Sequence, residues 1–178
     1  MVLAFDALNP YAYKADLARI CILYILGLWY LGIALRPMVF LNISDKIELF
    51  MFRDYQPVTG TSFACTNGII FPKKGNTVLV RYIKLIVENC RNRYYGINAL
   101  CTKGPILFGR AIANCGENEN YIFGDVRFLT PMCIITNKAF VLPSGEIFYM
   151  FKLSAGGDLT KLGGLGVNNF YNEDKVYA

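Results

Sequence analysis

The chain has 178 residues and a net charge of +5, with 54% hydrophobic and only 17% charged residues. This length suits one domain, while the charged fraction is below the roughly 25% that is typical of soluble domains. The sequence contains no histidine, which excludes Ser-His-Asp and Cys-His catalysis as well as histidine metal ligands. Since no run of five basic residues occurs, a dedicated nucleic-acid-binding tail is not expected.

A strongly apolar run without charged residues covers residues 20–35 and is 16 residues long. We interpret it as the end of a helix over residues 13–26, a C-cap at Gly27, and a buried central strand over residues 29–35, because aromatic and β-branched residues follow the glycine. The alternative is a single membrane-spanning helix. That alternative needs roughly 20 apolar residues, with a lower limit near 17, so the run is marginal in length.

The remaining pattern alternates between strands and helices and ends in a hairpin, which predicts an α/β class. Strands are predicted over residues 47–52, 62–71, 126–137 and 139–152, and helices over 76–92 and 104–113. Asn76 or Thr77 is the predicted N-cap of the longer helix, and Pro143-Ser144-Gly145 is the predicted hairpin turn. The glycine-rich stretch 154–166 lacks a phosphate-loop motif and is predicted to be a flexible loop within a C-terminal segment over 153–178.

The six cysteines are not arranged as Cys-x-x-Cys pairs, so zinc-ribbon and thioredoxin-like sites are excluded. We predict that they are reduced and mostly buried thiols. They are Cys21, Cys65, Cys90, Cys101, Cys115 and Cys133.

An ordered series of short motifs resembles a known enzyme family. Lys14-Ala-Asp16-Leu-Ala-Arg19 is followed by Leu23-Tyr24 and by the segment 27–35, and then by Asn67-Gly68 and Gly104-Pro105. This series is similar to that of the DXD sugar-binding glycosyltransferases, which include capsular-polysaccharide and yeast mannosyltransferase-like enzymes. The resemblance extends over nearly the whole chain, although no single motif is decisive.

The resemblance implies a GT-A-type, Rossmann-like nucleotide-sugar transferase fold in one partial domain over residues 1–178. It implies that the upstream βα units, which help to hold the nucleotide base in the family, are missing. It also implies transfer of a sugar from a nucleoside-diphosphate sugar to a glycan or lipid-linked acceptor, in the cytoplasm or at the membrane periphery.

The metal motif departs from the family pattern. Gly32 and Ala34 occupy its two aspartate positions, and Leu28 and Lys103 replace a glycine and a threonine. Mn²⁺ or Mg²⁺ is the expected cofactor of the family because hard oxygen ligands suit these cations. Neither Gly32 nor Ala34 has a side-chain oxygen, so no strong metal site is expected there.

Asp16 and Arg19 are the candidate donor-sugar-binding residues by resemblance. Because they are three positions apart on a predicted helix, a solvated ion pair is the alternative. Asn67, Gly104 and Pro105 are candidates for the acceptor cleft, with a strand position and a helix start as their alternatives. Trp29 is predicted to belong to the core.

Three functions follow from this reading. The first is a glycosyltransferase-like enzyme whose activity is weakened or lost. The second is a non-catalytic binding module or one half of a split protein, completed by a partner chain that covers an apolar sheet edge. The third is a small single-span membrane protein that uses residues 20–35.

Overall fold

The computed structural model describes residues 1–9, 11–129 and 138–151, with six helices and seven strands. The helices are α1 (Val2–Ala7), α2 (Tyr11–Leu26), α3 (Gln56–Thr59), α4 (Thr77–Arg91), α5 (Ala99–Thr102) and α6 (Pro105–Ala113). The strands are β1 (Tyr30–Leu31), β2 (Leu35–Pro37), β3 (Leu49–Arg53), β4 (Cys65–Pro72), β5 (Tyr121–Phe128), β6 (Lys138–Val141) and β7 (Ile147–Phe151).

The strands form one mixed sheet in the order β1-β4-β3-β5-β6-β7-β2. Among the described strands, β3 and β5 form the one parallel pair, and the other neighbours are antiparallel. The mixed α/β class predicted from the sequence is therefore confirmed.

Alternation along β3 divides the core into two parts, because successive side chains of a strand point to opposite faces. Leu49 and Met51 pack with α1, α2, α4 and α6 in one cluster. Phe50 and Phe52 pack on the other face with aromatic residues of β6 and β7. The sheet thus has a helical face and an aromatic face, and the candidate site lies on the helical one.

The prediction of a central strand over residues 29–35 is wrong. The segment forms the two short strands β1 and β2, which pair with β4 and β7 at opposite ends of the strand order. The Leu35 amide donates to the Gly32 carbonyl (2.9 Å), so a turn separates the two strands. Residues 32–34 connect β1 and β2, which are the first and last strands in the sheet order. Because this connection is so short, the sheet curls around its aromatic face. On that face Trp29 stacks on Phe71, with ring centroids 4.7 Å apart.

The helix predicted in the first half of the apolar run is confirmed, and so is its glycine cap. The α2 helix ends at Leu26, and Gly27 has a φ of +67° with its amide bonded to the Leu23 carbonyl at 2.8 Å. Glycine adopts this left-handed conformation without steric cost. The run therefore is not one continuous helix, and none of the described helices has the length and hydropathy needed to cross a membrane.

Several local predictions are also confirmed. The Asn76 side chain caps α4 by accepting from the Val78 amide, Pro105 occupies the first turn of α6, and Gly145 forms the hairpin turn before β7 with a φ of +89°. The strand predicted from residue 126 begins earlier, at Tyr121. Residues 130–137 and the C-terminal segment from residue 152 lie outside the described residues.

The described cysteines are free thiols, as predicted. Only Cys65 and Cys90 are buried, while Cys21, Cys101 and Cys115 are half-buried, so burial is less general than expected. Cys133 lies outside the described residues.

Candidate functional site

The α2 helix places Asp16 and Arg19 next to each other on the side that faces β4. Asp16 is only 1% exposed and lies in the helix beside the buried residues Leu17 and Ile20. The Arg19 Nη1 atom lies 3.2 Å from Asp16 Oδ1, which is the i,i+3 ion pair expected from the spacing. In this pair Asp16 is buried, while Arg19 keeps partial contact with solvent.

Both carboxylate oxygens of Asp16 are engaged by residues that are distant in sequence. The Asn67 side-chain amide donates to Oδ1 at 3.0 Å, and the Lys103 ammonium donates to Oδ2 at 2.9 Å. A buried charge requires such partners, because leaving it unpaired away from water costs several kcal/mol. Asp16, Arg19, Asn67 and Lys103 are called the Asp16 network below.

Arg19 joins this network to strands β4 and β1. Its Nη1 donates to the Asn67 backbone carbonyl at 2.9 Å, and its guanidinium carbon lies 4.1 Å from the centre of the Tyr30 ring. A planar guanidinium stacks favourably on an aromatic face. The Arg19 side chain keeps 17% exposure, and it is the charged member of the network that contacts solvent most.

Lys103 lies between α5 and α6 and is 2% exposed. Its Nζ atom sits 3.4 Å from the centre of the Tyr13 ring, in addition to the ion pair with Asp16. The Tyr82 hydroxyl donates to the Lys103 carbonyl, and the Asn89 amide donates to the preceding Thr102 carbonyl at 2.8 Å. Two residues of α4 thus hold the backbone that delivers the ammonium group.

Burial governs the titration of these groups. Burial lowers the pKa of Lys103, and the charge and hydrogen bond of Asp16 oppose that shift. Burial also raises the pKa of Tyr82 well above 10.0, and the negative charge of Asp16 adds to it. Tyr82 therefore serves as a neutral hydrogen-bond donor.

Gly32 and Ala34 lie in the turn between β1 and β2, close to the Asp16 network. The Gly32 amide donates to the Gly68 carbonyl at 2.8 Å, one residue after Asn67 on β4. Neither residue offers a side-chain oxygen, and the described part of the chain contains no cluster of three or more His, Cys, Asp or Glu suited to a metal ion. The residues present here do not fit the Mn²⁺ or Mg²⁺ site of the family.

The candidates for the acceptor cleft lie in different surroundings. Asn67 is half-buried and faces Asp16, whereas Gly104 and Pro105 are buried at the start of α6. Trp29 packs against Phe50, Phe71 and Phe148 with 36% of its surface exposed. Sequence reasoning identified Lys103 only as a departure from the family pattern, since no local signal links it to Asp16, 87 residues away.

Comparisons with known proteins give a distant structural likeness. No family model matches the chain, and no curated protein matches it in sequence. Among solved structures, the chain is similar to the PaToxG glycosyltransferase, with a TM-score of 0.48 and 25% identity over 58% of this chain. The match spans 36% of the PaToxG chain.

Proposed function

We propose that this chain is a glycosyltransferase-like domain of the DXD sugar-binding lineage with a GT-A-type fold, in which sugar transfer is weak or lost. The observation that carries the proposal is the meeting of Asp16, Arg19 and Asn67 beside the turn that holds Gly32 and Ala34. The resemblance selected these positions from separate parts of the sequence, and Asp16 and Asn67 are 51 residues apart.

The arrangement supports binding of a donor sugar nucleotide through some of the network residues but not all of them. A nucleoside-diphosphate sugar needs hydrogen-bond acceptors for its hydroxyls and cations for its phosphates. Asn67 and Arg19 retain partial exposure, and the planar fork of Arg19 suits a phosphate oxygen. Asp16 is enclosed by Lys103, so its carboxylate reaches a sugar hydroxyl only if that ion pair opens.

Loss of transfer follows from the same residues. Charge develops on the leaving diphosphate as the sugar departs, and it needs stabilisation by fixed positive charge. Gly32 and Ala34 supply no metal ligand, and the Lys103 ammonium is committed to Asp16. Arg19 is the partly exposed cation that remains in the network, and one positive charge is little stabilisation for a leaving diphosphate.

The test is the release of nucleoside diphosphate from a panel of UDP- and GDP-sugars with Mn²⁺, comparing this chain with a Gly32→Asp, Ala34→Asp double variant. A side chain fits at position 32, since its Cβ would lie 3.4 Å from the nearest atom, the Gly68 carbonyl oxygen. We expect release by the double variant and little or none by the unmodified chain.

Two further variants, each in the double-variant background, serve as controls. Arg19→Gln should abolish release, whereas Arg81→Gln, an exposed position on α4, should not change it. If neither form releases nucleotide and calorimetry detects no binding of any nucleotide sugar, the enzyme proposal is overturned.

A second candidate, a non-catalytic interaction module, is favoured by exposed apolar residues on α2 and in the segment that follows it. Ile22, Ile25 and Leu26 on α2 are each more than half exposed, and Leu28 and Ile33 beyond the helix are exposed as well. Where exposed apolar residues form a contiguous patch, they commonly mark a protein–protein contact. Solubility that depends on a co-expressed partner, together with no nucleotide-sugar binding, would support this candidate over the enzyme.

A further inference from the structure

A second polar cleft opens beyond the carboxyl end of β3 and is separate from the Asp16 network. It has a volume of about 360 Å³, within the range of about 300–1,000 Å³ that is usual for small-molecule pockets. Its polar lining includes Arg53, Asp54, Tyr55, Ser62, Asp125 and Arg127. We call it the Arg53 cleft.

The position of the cleft in the sheet is one where ligands commonly bind. Arg53 is the last residue of β3 and lies opposite Asp125 in the parallel pair β3–β5. In α/β sheets, ligands bind outside the carboxyl ends of parallel strands. The pairing of β3 with β4 is also irregular between Met51 and Arg53, and bulges of this kind redirect side chains near binding sites.

Two arginines share one carboxylate in the cleft. Arg53 donates from Nε and Nη2 to the two oxygens of Asp125, at 2.8 and 3.1 Å, and Arg127 Nη2 lies 3.4 Å from Oδ2. One negative charge therefore faces two positive charges. The arginine side chains are 53% and 65% exposed, and each guanidinium has five N–H donors, so donors beyond those used by Asp125 remain at the mouth of the cleft.

The remaining lining suits a sugar rather than a bare anion. Asp54 accepts from the Tyr55 amide at 2.8 Å and lies 4.0 Å from the Lys138 ammonium. Ser62 offers a hydroxyl, and Tyr55 packs edge-on against Phe128 with ring centroids 4.5 Å apart. The lining therefore carries two arginines and two aspartates, with Lys138 beside Asp54 as a further cation, and Asp54 and Ser62 supply acceptors for hydroxyl groups.

We propose that the Arg53 cleft binds the anionic group of a charged sugar, either a phosphate monoester or a carboxylate. Arg53 and Arg127 donate hydrogen bonds to that group. The planar forks of the two side chains match the oxygens of both anions. Binding of a charged sugar in this cleft does not depend on whether the protein transfers a sugar. Only the idea that such a sugar is the acceptor rests on the proposed function.

The test is calorimetric titration of the full chain at low salt with glucose 1-phosphate, glucuronate, neutral glucose and inorganic phosphate. We expect glucose 1-phosphate or glucuronate to bind, and whichever binds more tightly identifies the anion. Glucose should not bind detectably, and inorganic phosphate should bind more weakly than the phosphorylated sugar. Equal binding of glucose, or phosphate binding as tightly as glucose 1-phosphate, would overturn the proposal.

Variants locate the binding in the cleft. Arg53→Gln and Arg127→Gln should each weaken binding by about tenfold or more, as expected for a lost charge-assisted hydrogen bond. Arg81→Gln, which removes an exposed arginine on α4, should have no effect. Unchanged affinity in both cleft variants would also overturn the proposal. Because this titration uses no nucleotide sugar, its outcome is independent of the release assay.

Discussion

The Asp16 network and the Arg53 cleft use the same chemistry in opposite surroundings. Each pairs an aspartate with one basic side chain that is close in sequence and one that is distant. Asp16 and Lys103 are 1% and 2% exposed, whereas Arg53 and Asp125 are 53% and 31% exposed. The comparison teaches that burial, and not the identity of the charged residues, decides whether an ion pair holds the fold together or remains available to a ligand.

The difference originates in the elements that carry the residues. Asp16 lies within a 16-residue helix that packs under α4, so its carboxylate has no route to water and must find partners inside the protein. Arg53 ends a strand at the rim of the sheet, where its long side chain extends into solvent. Exposed pairs of this kind contribute at most about 1 kcal/mol to stability.

The largest expected effect comes from removing the buried ammonium. Lys103→Met keeps most of the side-chain volume but leaves Asp16 with only Arg19 and Asn67 as partners. We expect the free energy of unfolding to fall by about 3 kcal/mol, the low end of the range for breaking a buried pair, since Arg19 still compensates part of the charge. Urea unfolding followed by circular dichroism measures this change.

Two controls sharpen that result. Arg53→Gln, the matched change in the cleft, should lower the free energy of unfolding by less than about 1 kcal/mol. Adding Asp16→Asn to Lys103→Met should restore part of the loss, because the buried carboxylate charge disappears together with its partner. Equal effects of Lys103→Met and Arg53→Gln would show that the two regions do not differ in the way proposed.

A smaller effect is expected at Gly109, where α6 packs against the segment that borders the Arg53 cleft. Gly109 lies on α6, and a Cβ added there would overlap the backbone carbonyl of Phe63, the neighbour of Ser62 in the Arg53 cleft. Backbone cannot move aside as a flexible side chain can, so Gly109→Ala should cost about 2 kcal/mol of stability. It should also weaken anion binding in the cleft by displacing residues 62 and 63.

The matched control is Gly32→Ala, whose added Cβ would lie 3.4 Å from its nearest neighbour, an ordinary contact. This variant should stay within about 0.5 kcal/mol of the unmodified chain. If Gly109→Ala were equally mild, α6 and the loop that borders the cleft would be less closely packed than the structure indicates.

Local signals in the sequence predicted much of the fold. Gly27 as a C-cap, Asn76 as an N-cap and Gly145 as a turn residue each follow from the backbone freedom of a glycine or the hydrogen bonding of one side chain. The prediction of one central strand over residues 29–35 is wrong because the composition of this segment does not specify which strands it pairs with. Pairing depends on β4 and β7, which are far away in the sequence.

The site was less predictable for the same reason. The resemblance selected Asp16, Arg19 and Asn67, and spacing alone would have left the first two as a surface pair. Nothing in the sequence assigns Lys103 to Asp16 or Asp125 to Arg53, pairs that are 87 and 72 residues apart. Such contacts arise only when the sheet and α6 are assembled.

The smallest expected effect uses Cys65, which lies opposite Arg53 on β4, two residues before Asn67. Burial raises the pKa of the Cys65 thiol from 9.0 to about 12, with Arg53 lowering it and Asp54 raising it to lesser extents. In the unfolded chain the thiol loses its proton above pH 9.0, so the unfolded state binds fewer protons than the folded state between pH 9 and about 12. The stability that the neutral thiol contributes is thus complete below pH 9 and declines as the pH rises.

Unfolding measured from pH 8 to 10.5 should therefore show a shallower decline in Cys65→Ala than in the unmodified chain. The two slopes should differ by up to about 1.4 kcal/mol per pH unit above pH 9. Cys90→Ala, which removes a thiol whose pKa burial raises to about 11, should change the slope with the same sign. If Cys65→Ala left the slope unchanged, the Cys65 thiol would be in contact with water from the Arg53 cleft. The boundary between this open cleft and the enclosed Asp16 network would then lie deeper in the protein than Cys65.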